Sequence, residues 1–343
     1  MREGEEFPTL AAMILAGIDE AGYGPLLGPL VVATTVFRVA ECDAPPDLWE
    51  RLSPTVGRDP KRPGCIAVDD SKKLYASGKG WTRLEEGLLP FFGARLESLR
   101  GKAPQTPASF RELLHTCARR GRDGAAAYLD DYPWYRGRDV TLPRDTFPSV
   151  VRKRTENLAA IFKERKTEFV GLAAVPIEVG ELNRELARTE NKAEVSFLAI
   201  GSFLRRLWTR YRDEPVFVFI DRQGGRTHYA RQLFDALEPR GVSIEEQGAE
   251  ISRYRLVRHN APDFRVVFTS DCESKHLPVA LASMLAKYVR ELHMHLFNEY
   301  WTSHRRDLRP TAGYLNDAWR FLEDTRALRE ELGTEEDILI RKR

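Results

Sequence analysis

Cysteine is scarce in this chain of 343 residues, and its four cysteines (Cys42, Cys65, Cys117 and Cys272) form no Cys-x-x-Cys pair. Their scattered positions predict neither a zinc site nor a disulfide framework. Long apolar runs are also missing, because no stretch of 18 apolar residues could span a membrane. The acidic opening of the chain is not that of a secretory signal. We therefore expect a protein of the reducing cytoplasm, with no membrane partner.

Net charge is low as well, at +2, so the charge of the whole chain indicates little about a nucleic-acid partner. Its distribution is more informative, since residues 95–166 hold 16 Lys or Arg against 9 Asp or Glu. A basic segment beside an acidic remainder is expected where one part of a protein holds phosphates and another holds metal ions. A solvated arginine-rich surface is the alternative.

The stretch from Met13 to Val36 carries the clearest chemistry. Met13 to Ile18 is apolar and predicts a buried strand, at whose end stand two adjacent carboxylates, Asp19 and Glu20. A glycine-rich corner follows, and the β-branched run from Val31 to Val36 predicts the next strand. Burying unpaired carboxylates is costly, so a hard cation such as Mg²⁺ is the expected partner.

Residues 17–29 read Gly-Ile-Asp-Glu-Ala-Gly-Tyr-Gly-Pro-Leu-Leu-Gly-Pro. This stretch closely resembles the opening signature of the type 2 ribonucleases H, ribonuclease HII and its relatives. Further along, Asp70-Ser71-Lys72-Lys73-Leu74 resembles the second motif of that family, in which a lysine-rich turn approaches the nucleic-acid backbone. Independently of the family, a serine at a helix entry caps the helix and lysine neutralises phosphate.

A second buried strand, Pro215 to Ile220, again ends in a carboxylate, Asp221. It matches the third acidic position of the family, although Arg222 follows here where the family usually has glycine. A structural aspartate that caps the next helix is the alternative interpretation. We expect Arg222 to join Gly22, Tyr23, Gly24 and the serine and lysines of the second motif in contacting nucleic acid.

The fourth carboxylate is less clearly placed. Ala-Ser-Met-Leu-Ala-Lys at 282–287 is similar to the family's Ala-Ser-Ile-Leu-Ala-Lys, and the family's acid lies fourteen residues before that lysine. Glu273 occupies this position, while Asp271 stands two residues earlier. Gapless spacing favours Glu273, with Asp271 as the alternative. Either acid would lie at a helix N-terminus, where the backbone dipole favours an anion.

The resemblance implies an α/β, ribonuclease H-like fold with a central mixed sheet flanked by helices. It also implies an endoribonuclease that hydrolyses the RNA strand of RNA–DNA hybrids, or DNA at embedded ribonucleotides. Asp19, Glu20, Asp221 and Glu273 would hold two Mg²⁺ or Mn²⁺ ions in the active complex. The expected partner is an RNA–DNA hybrid or a ribonucleotide-containing DNA duplex.

The chain departs from the family pattern where the substrate is sensed. The family reads the 2′-hydroxyl largely through the backbone of a Gly-Arg-Gly triplet, and here the triplet is Gly22-Tyr23-Gly24. Arginine to tyrosine removes a phosphate-facing cation and adds a stacking platform. The family's last tyrosine and histidine are also replaced, by Arg309 and Tyr314.

The resemblance covers about two-thirds of the chain and divides it. We expect a split catalytic domain (1–93 and 167–300), a basic, mainly helical insertion (94–166) and a C-terminal helical element (301–343). In the insertion, Tyr132-Pro133-Trp134-Tyr135 could stack on bases or pack a small core of its own. His293 and His295 lack the spacing of a zinc pair and are interpreted as helix-surface residues.

Two other functions fit the residues less well. A nucleic-acid-binding protein of the same fold, with lost or redirected nuclease activity, would explain the altered triplet but not four clustered acids. A nucleotide-phosphate enzyme using the glycine-rich corner is disfavoured, because no Gly-Lys-Ser/Thr follows the corner and no Gly-x-Gly-x-x-Gly opens a helix there.

Overall fold

The computed structural model describes residues 12–76, 79–100, 106–118, 126–222 and 226–342, with only the backbone of 96–100. Strands in these residues are, in chain order, β1 Met13–Ala21, β2 Leu30–Val39, β3 Val56–Gly57, β4 Ile66–Ala67, β5 Thr167–Ile177, β6 Val216–Asp221, β7 Gly241–Gln247, β8 Ile251–Val257 and β9 Phe264–Thr269. Seven of them form one sheet in the order β5-β2-β1-β6-β9-β8-β7, and β3 pairs with β4.

The sheet is mixed. β1 pairs antiparallel with β2 and parallel with β6, and β6 pairs parallel with β9. The carboxyl ends of β1, β6 and β9 therefore meet at one edge, where the predicted acids are located. The expected α/β fold with a central mixed sheet flanked by helices is confirmed.

Helices cover both faces of the sheet. They are α1 Leu48–Arg51, α2 Ser71–Tyr75, α3 Gly80–Arg100, α4 Phe110–Cys117, α5 Pro148–Glu164, α6 Val179–Thr189, α7 Lys192–Arg210, α8 Ala230–Leu237, α9 Cys272–Lys275, α10 Leu277–His304, α11 Leu315–Asp324, α12 Arg326–Glu331 and α13 Glu336–Leu339, with a 3₁₀ helix at Ala127–Asp131. None of the helices in the described residues combines the length and hydropathy needed to cross a bilayer.

Alternation along β1 divides the core in two. Met13 and Leu15 pack on the face covered by α10, while Ile14, Ala16 and Ile18 pack on the face covered by α7, because successive strand residues point to opposite sides. Both faces are covered, which is why this strand reads as a continuous apolar run rather than an alternating one.

Gly17 allows α10 to cross β1 at very short range. A Cβ atom added at Gly17 would lie 2.1 Å from the carbonyl carbon of Pro278 and 2.3 Å from the nitrogen of Val279. Thr35, on the neighbouring strand β2, donates to the Pro278 carbonyl oxygen at 2.7 Å. The first turn of α10 is thus fixed directly over the sheet, next to the predicted acids.

Several sequence predictions require correction. Apolar residues at three- and four-residue steps predict one long amphipathic helix after Pro176, with Leu198 on its core face. The structure instead has two helices, α6 and α7, separated by Glu190 in a left-handed conformation, and Leu198 on α7 is 46% exposed. Within the C-terminal element, the sequence predicts one helix from Trp319 to Leu332, whereas the structure divides this stretch between α11 and α12. Strand β7 was not predicted, since its residues are mostly polar and exposed.

His293 is not a surface residue. It is fully buried on α10, where its ring lies 2.8 Å from the Val289 carbonyl and 2.7 Å from the Tyr128 hydroxyl. Burial lowers the pKa of His293 to about 3, so the imidazole is neutral. The segment 94–166 supplies Tyr128 and the neighbouring ring of Phe110, and this cover could not be predicted from the helix alone.

The aromatic loop of that segment packs inward. Trp134 and Tyr135 are buried, and the Trp134 ring lies 5.4 Å from that of Phe297 on α10. They belong to the same hydrophobic cluster as the α10 side of the sheet, rather than to a small core of their own. Stacking of these rings on bases is therefore excluded in this structure. Four of the basic residues counted in this segment, Lys102, Arg119, Arg120 and Arg122, lie outside the described residues.

Candidate active site

Asp19 and Glu20 lie within β1 rather than after it, because the strand continues to Ala21. They remain in register with β2, opposite Ala33 and Val32, but parallel pairing with β6 stops at Ile18. The two carboxylates thus stand where β1 and β6 separate. Since side chains alternate, Asp19 faces the α10 side and Glu20 faces the α7 side.

Asp19 is 8% exposed, and two groups donate hydrogen bonds to its carboxylate. Its Oδ1 accepts from the Glu20 amide at 2.7 Å, and the Ser283 hydroxyl on α10 also donates to the carboxylate. Ser283 is in turn 3.0 Å from the buried hydroxyl of Ser71. Burial, followed by the charges of Asp221 and Glu20, raises the pKa of Asp19 well above its usual range.

Asp221 is the last residue of β6 and contacts the first residue of α9. Its Oδ1 accepts a hydrogen bond from the Cys272 amide at 3.1 Å. Burial, together with the charges of Glu273 and Glu20, raises the pKa of Asp221 to about 6 against the opposing effect of that hydrogen bond. On the other face, Glu20 Oε2 accepts from the Ser196 hydroxyl of α7 at 3.0 Å.

The backbone distinguishes the two candidates for the fourth acid. Glu273 lies in the first turn of α9 and is partly buried, and its Oε2 is buried without a hydrogen-bond partner among the described residues. Asp271 precedes α9 in a left-handed conformation (φ 51°) and is exposed. Its charge is not among those that raise the pKa of Asp19 or Asp221.

The buried thiol of Cys272 lies near three of these acids. The pKa of Cys272 is raised well above its usual range by burial and then by Asp221, Asp19 and Glu273. Within the described part of the chain, however, no three His, Cys, Asp or Glu side chains are already gathered into a group that could hold a metal ion. The acids therefore interact electrostatically, but their side chains are not yet arranged as the ligands of a bound ion.

The donor set fits a hard cation. All four groups are carboxylates, which Mg²⁺ and Mn²⁺ prefer, and the buried Oε2 of Glu273 has an unused acceptor position. A raised carboxyl pKa marks a site where negative charge is disfavoured until a cation arrives. No histidine takes part, since the half-buried His276 stacks on Phe219 at 3.8 Å between ring centroids.

The glycine-rich corner adjoins this centre. Gly22 has φ 85°, and a Cβ there would lie 2.5 Å from the Nε of Arg290. Gly24 is exposed, with no atom within 4 Å of a Cβ added to it. Between them the Tyr23 ring lies 4.9 Å from the Lys192 ammonium, and burial and the charge of Glu20 raise the pKa of Tyr23. The corner therefore leaves an open side next to the acids.

The residues of the second motif, Asp70 to Leu74, differ in exposure. Asp70, rather than Ser71, caps α2 by accepting from the Lys72 amide at 2.8 Å. Ser71 is buried against Ser283, whereas Lys72 and Lys73 are exposed. The hydroxyl of Ser71 thus reaches Asp19 through Ser283, and the two lysines are available to a phosphate backbone.

Arg222 is tied into its own loop. Its Nε donates to the Arg226 carbonyl at 2.8 Å, and its amide donates to Thr269 on β9. Gln223, Gly224 and Gly225 of this motif lie outside the described residues. Two contributors that sequence reasoning missed are Ser283 and Ser196; Ser283 lies inside the quoted Ala-Ser-Met-Leu-Ala-Lys motif, but nothing in the sequence marked Ser196.

Comparison with known proteins adds a short, specific match, although no family model matches the chain. A curated ribonuclease HII of Xanthomonas campestris pv. campestris (strain 8004) is 39% identical over 70 residues, which is 20% of each chain. A ribonuclease HII of Chlorobium phaeobacteroides is 40% identical over 68 residues, 20% of this chain and 24% of that protein. Over this stretch the chain is similar to ribonucleases HII. It spans about a fifth of the length of these relatives, so the match does not by itself extend their activity, substrates or partners to it.

Solved structures of this family align along most of the chain at low similarity. The PCNA:RNase HII complex of Archaeoglobus fulgidus gives a TM-score of 0.41 at 14% identity, over 96% of this chain and 95% of that one. Ribonuclease H2 of Pyrococcus horikoshii OT3 gives a TM-score of 0.39 at 16% identity, over 95% of this chain and 92% of that one. Bst-RNase HIII in complex with Mn²⁺ also gives a TM-score of 0.39 at 16% identity, over 99% of this chain and 71% of that one. Likeness at this level is too low to support a conclusion about this chain.

Proposed function

We propose that this protein is a metal-dependent endonuclease of the ribonuclease H type. Its substrate is the RNA strand of an RNA–DNA hybrid, or DNA at an embedded ribonucleotide. The observation that carries the proposal is that four carboxylates from three separate segments lie close enough to interact at one edge of the sheet. The charges of Asp221 and Glu20 raise the pKa of Asp19, and those of Glu273 and Glu20 raise the pKa of Asp221. A protein that only bound phosphate would gain nothing from four carboxylates at one edge of the sheet.

These four residues would hold two Mg²⁺ or Mn²⁺ ions, with Asp19 as the most central ligand because it adjoins both Glu20 and Asp221. Such ions, when bound, supply an activated water and neutralise charge at the scissile phosphate. Ser283 and Ser196 orient Asp19 and Glu20 from opposite faces of the sheet. Lys72 and Lys73 hold the phosphate backbone, and the open side of the Gly22-Tyr23-Gly24 corner receives the ribonucleotide.

Calorimetric titration with Mn²⁺ tests the metal centre directly. We expect saturable binding by the native protein, loss of that binding in Asp19→Asn, and native-like binding in the matched control Asp271→Asn. Asp19→Asn removes one anionic ligand and its negative charge from the cation site, so Mn²⁺ affinity falls by at least about 100-fold.

Two results would count against the proposal. Native-like Mn²⁺ binding by Asp19→Asn would show that these acids do not form the metal site. Absent metal binding together with tight binding of a duplex would favour the nucleic-acid-binding protein without nuclease activity.

A further inference from the structure

The backbone of the glycine-rich corner is held from beneath by an arginine near the other end of the sequence. Arg341 is 3% exposed, and its guanidinium donates to two backbone carbonyls of the corner. Nη1 lies 2.5 Å from the Gly22 oxygen, and Nε and Nη2 lie 2.8 and 2.5 Å from the Gly28 oxygen. The Arg341 amide also donates to the Leu26 oxygen at 3.0 Å.

The corner is shaped to fit this group. Gly22 and Gly28 both have positive φ, 85° and 77°, which turns the chain sharply at the two residues that accept from Arg341. Arg290 supports the same turn, because its Nη2 donates to the Ala312 carbonyl at 2.9 Å and approaches the Leu27 carbonyl at 3.5 Å. Two guanidinium groups therefore lie under the corner.

The C-terminal segment is itself anchored. Asn183 on α6 donates to the carbonyls of Asp337 and Ile340 at 2.9 and 2.8 Å and accepts from the Lys342 amide at 2.8 Å. Arg341 is thus presented by a fixed piece of backbone. Burial, and then the charge of Arg290, lowers the pKa of Arg341 to about 9, which leaves the guanidinium charged at neutral pH and its hydrogen bonds charge-assisted.

The corner and the C-terminal segment together line one open groove of about 850 Å³. Gly24 and Pro25 form one side, and Lys192, Tyr314 and Lys342 contribute cations and an exposed aromatic ring to the others. Gly24 and Pro25 of the corner line this groove, and none of the four acids does. It has the composition of a surface that follows a nucleic-acid strand.

We propose that Arg341 is a positioning residue for substrate recognition, holding residues 22–28 in the one backbone conformation that can accept a ribonucleotide. The inference rests on the proposed function. Its physical basis is that backbone readout of a ribose tolerates little displacement, since an error of about 1 Å can cost roughly 100-fold in rate. The C-terminal element is then part of the substrate site rather than an accessory.

Steady-state cleavage of a duplex with one embedded ribonucleotide, in Mg²⁺, tests the inference with Arg341→Gln and Arg341→Lys. We expect Arg341→Gln to raise KM by about tenfold or more, with a smaller effect on kcat, because metal binding is left intact. Arg341→Lys keeps the positive charge but not the planar guanidinium that donates to two carbonyls at once. This variant should therefore have a KM between those of native protein and Arg341→Gln. Equilibrium binding in an Asp19→Asn background should show the same order.

Arg258 offers a matched control at the opposite end of β6. It is 9% exposed and donates to the carbonyls of Tyr211, Glu214 and Pro262 at 2.9, 2.9 and 3.0 Å. Arg258→Gln should lower thermal stability as Arg341→Gln does, yet leave KM and duplex affinity unchanged. An equal rise in KM in both variants would assign the effect to lost stability and overturn the inference.

Native KM and affinity in a folded Arg341→Gln would also overturn it. If Arg341→Gln does not fold, Arg341→Lys decides in its place, and native duplex affinity in that variant is the contrary result. A native protein that neither binds nor cuts any duplex refutes the proposed function instead. Hydrogen exchange of the backbone amides of residues 22–28 then tests whether Arg341 holds the corner, independently of any substrate. Faster exchange in Arg341→Lys than in native protein supports this positioning role, and unchanged exchange contradicts it.

Discussion

At the scale of single residues, the backbone around α9 separates two acids that the sequence leaves as alternatives. Gapless spacing to the lysine motif favours Glu273, and the structure gives a physical reason for that choice. The Glu273 carboxylate acts on Asp221, while the exposed Asp271 leads into α9 through a left-handed turn. The assignment of Glu273 as a ligand stays a prediction.

Glu273→Gln and Asp271→Asn form a matched pair of neutral, nearly isosteric variants two residues apart. We expect Glu273→Gln to lower Mg²⁺-dependent cleavage by more than about 100-fold, because one ligand of the cation is lost. Asp271→Asn should stay within about twofold of native protein. The measurement is the single-turnover rate at saturating Mg²⁺, and a larger loss in Asp271→Asn than in Glu273→Gln would reverse the assignment.

At the scale of secondary structure, the site depends on how closely α10 approaches β1. Gly17 sets this distance, and α10 then brings Ser283 to Asp19 while α9, directly before it, brings Glu273 to Asp221. A side chain at position 17 would push against backbone rather than against a flexible side-chain end. Packing between two elements and geometry at the acids are therefore coupled.

Gly17→Ala should lower the free energy of unfolding by about 1–3 kcal/mol, as expected for overpacking in a closed core. Gly171→Ala is the matched control, because a Cβ at that position in β5 meets nothing nearer than 3.9 Å. The control should change stability by no more than about 1 kcal/mol. Urea unfolding followed by circular dichroism measures both, and equal stability of the two variants would show that α10 can shift without cost.

Helices and strands that are marked by the apolar pattern of their own residues could be predicted from the sequence. The sequence predicts β1 and β6 because each is an apolar run that ends at an acid. It predicts α10 because apolar residues repeat on one helix face from Leu277 onward. β7 was missed because an exposed strand with polar side chains carries no apolar pattern. The break at Glu190 was missed because its left-handed conformation has no glycine to mark it.

At the scale of the whole molecule, the site draws on distant parts of the chain. The Arg341 hydrogen bonds to Gly22 and Gly28 join residues 319 and 313 positions apart, and no local spacing in the sequence could reveal them. The buried environment of His293 likewise comes from Tyr128, 165 positions away. The positions of Asp19, Glu20 and Asp221 near the ends of buried strands could be predicted from the sequence, whereas the groups that hydrogen-bond to them and to the corner could not.

The most direct test of the account is cleavage of three labelled duplexes in Mg²⁺ or Mn²⁺: an RNA–DNA hybrid, DNA with one embedded ribonucleotide, and DNA alone. The account predicts cutting of at least one ribonucleotide-containing duplex by the native protein, no cutting of DNA alone, and loss of activity in Asp19→Asn. Equal cutting of all three duplexes, or cutting that persists in Asp19→Asn, would contradict the account.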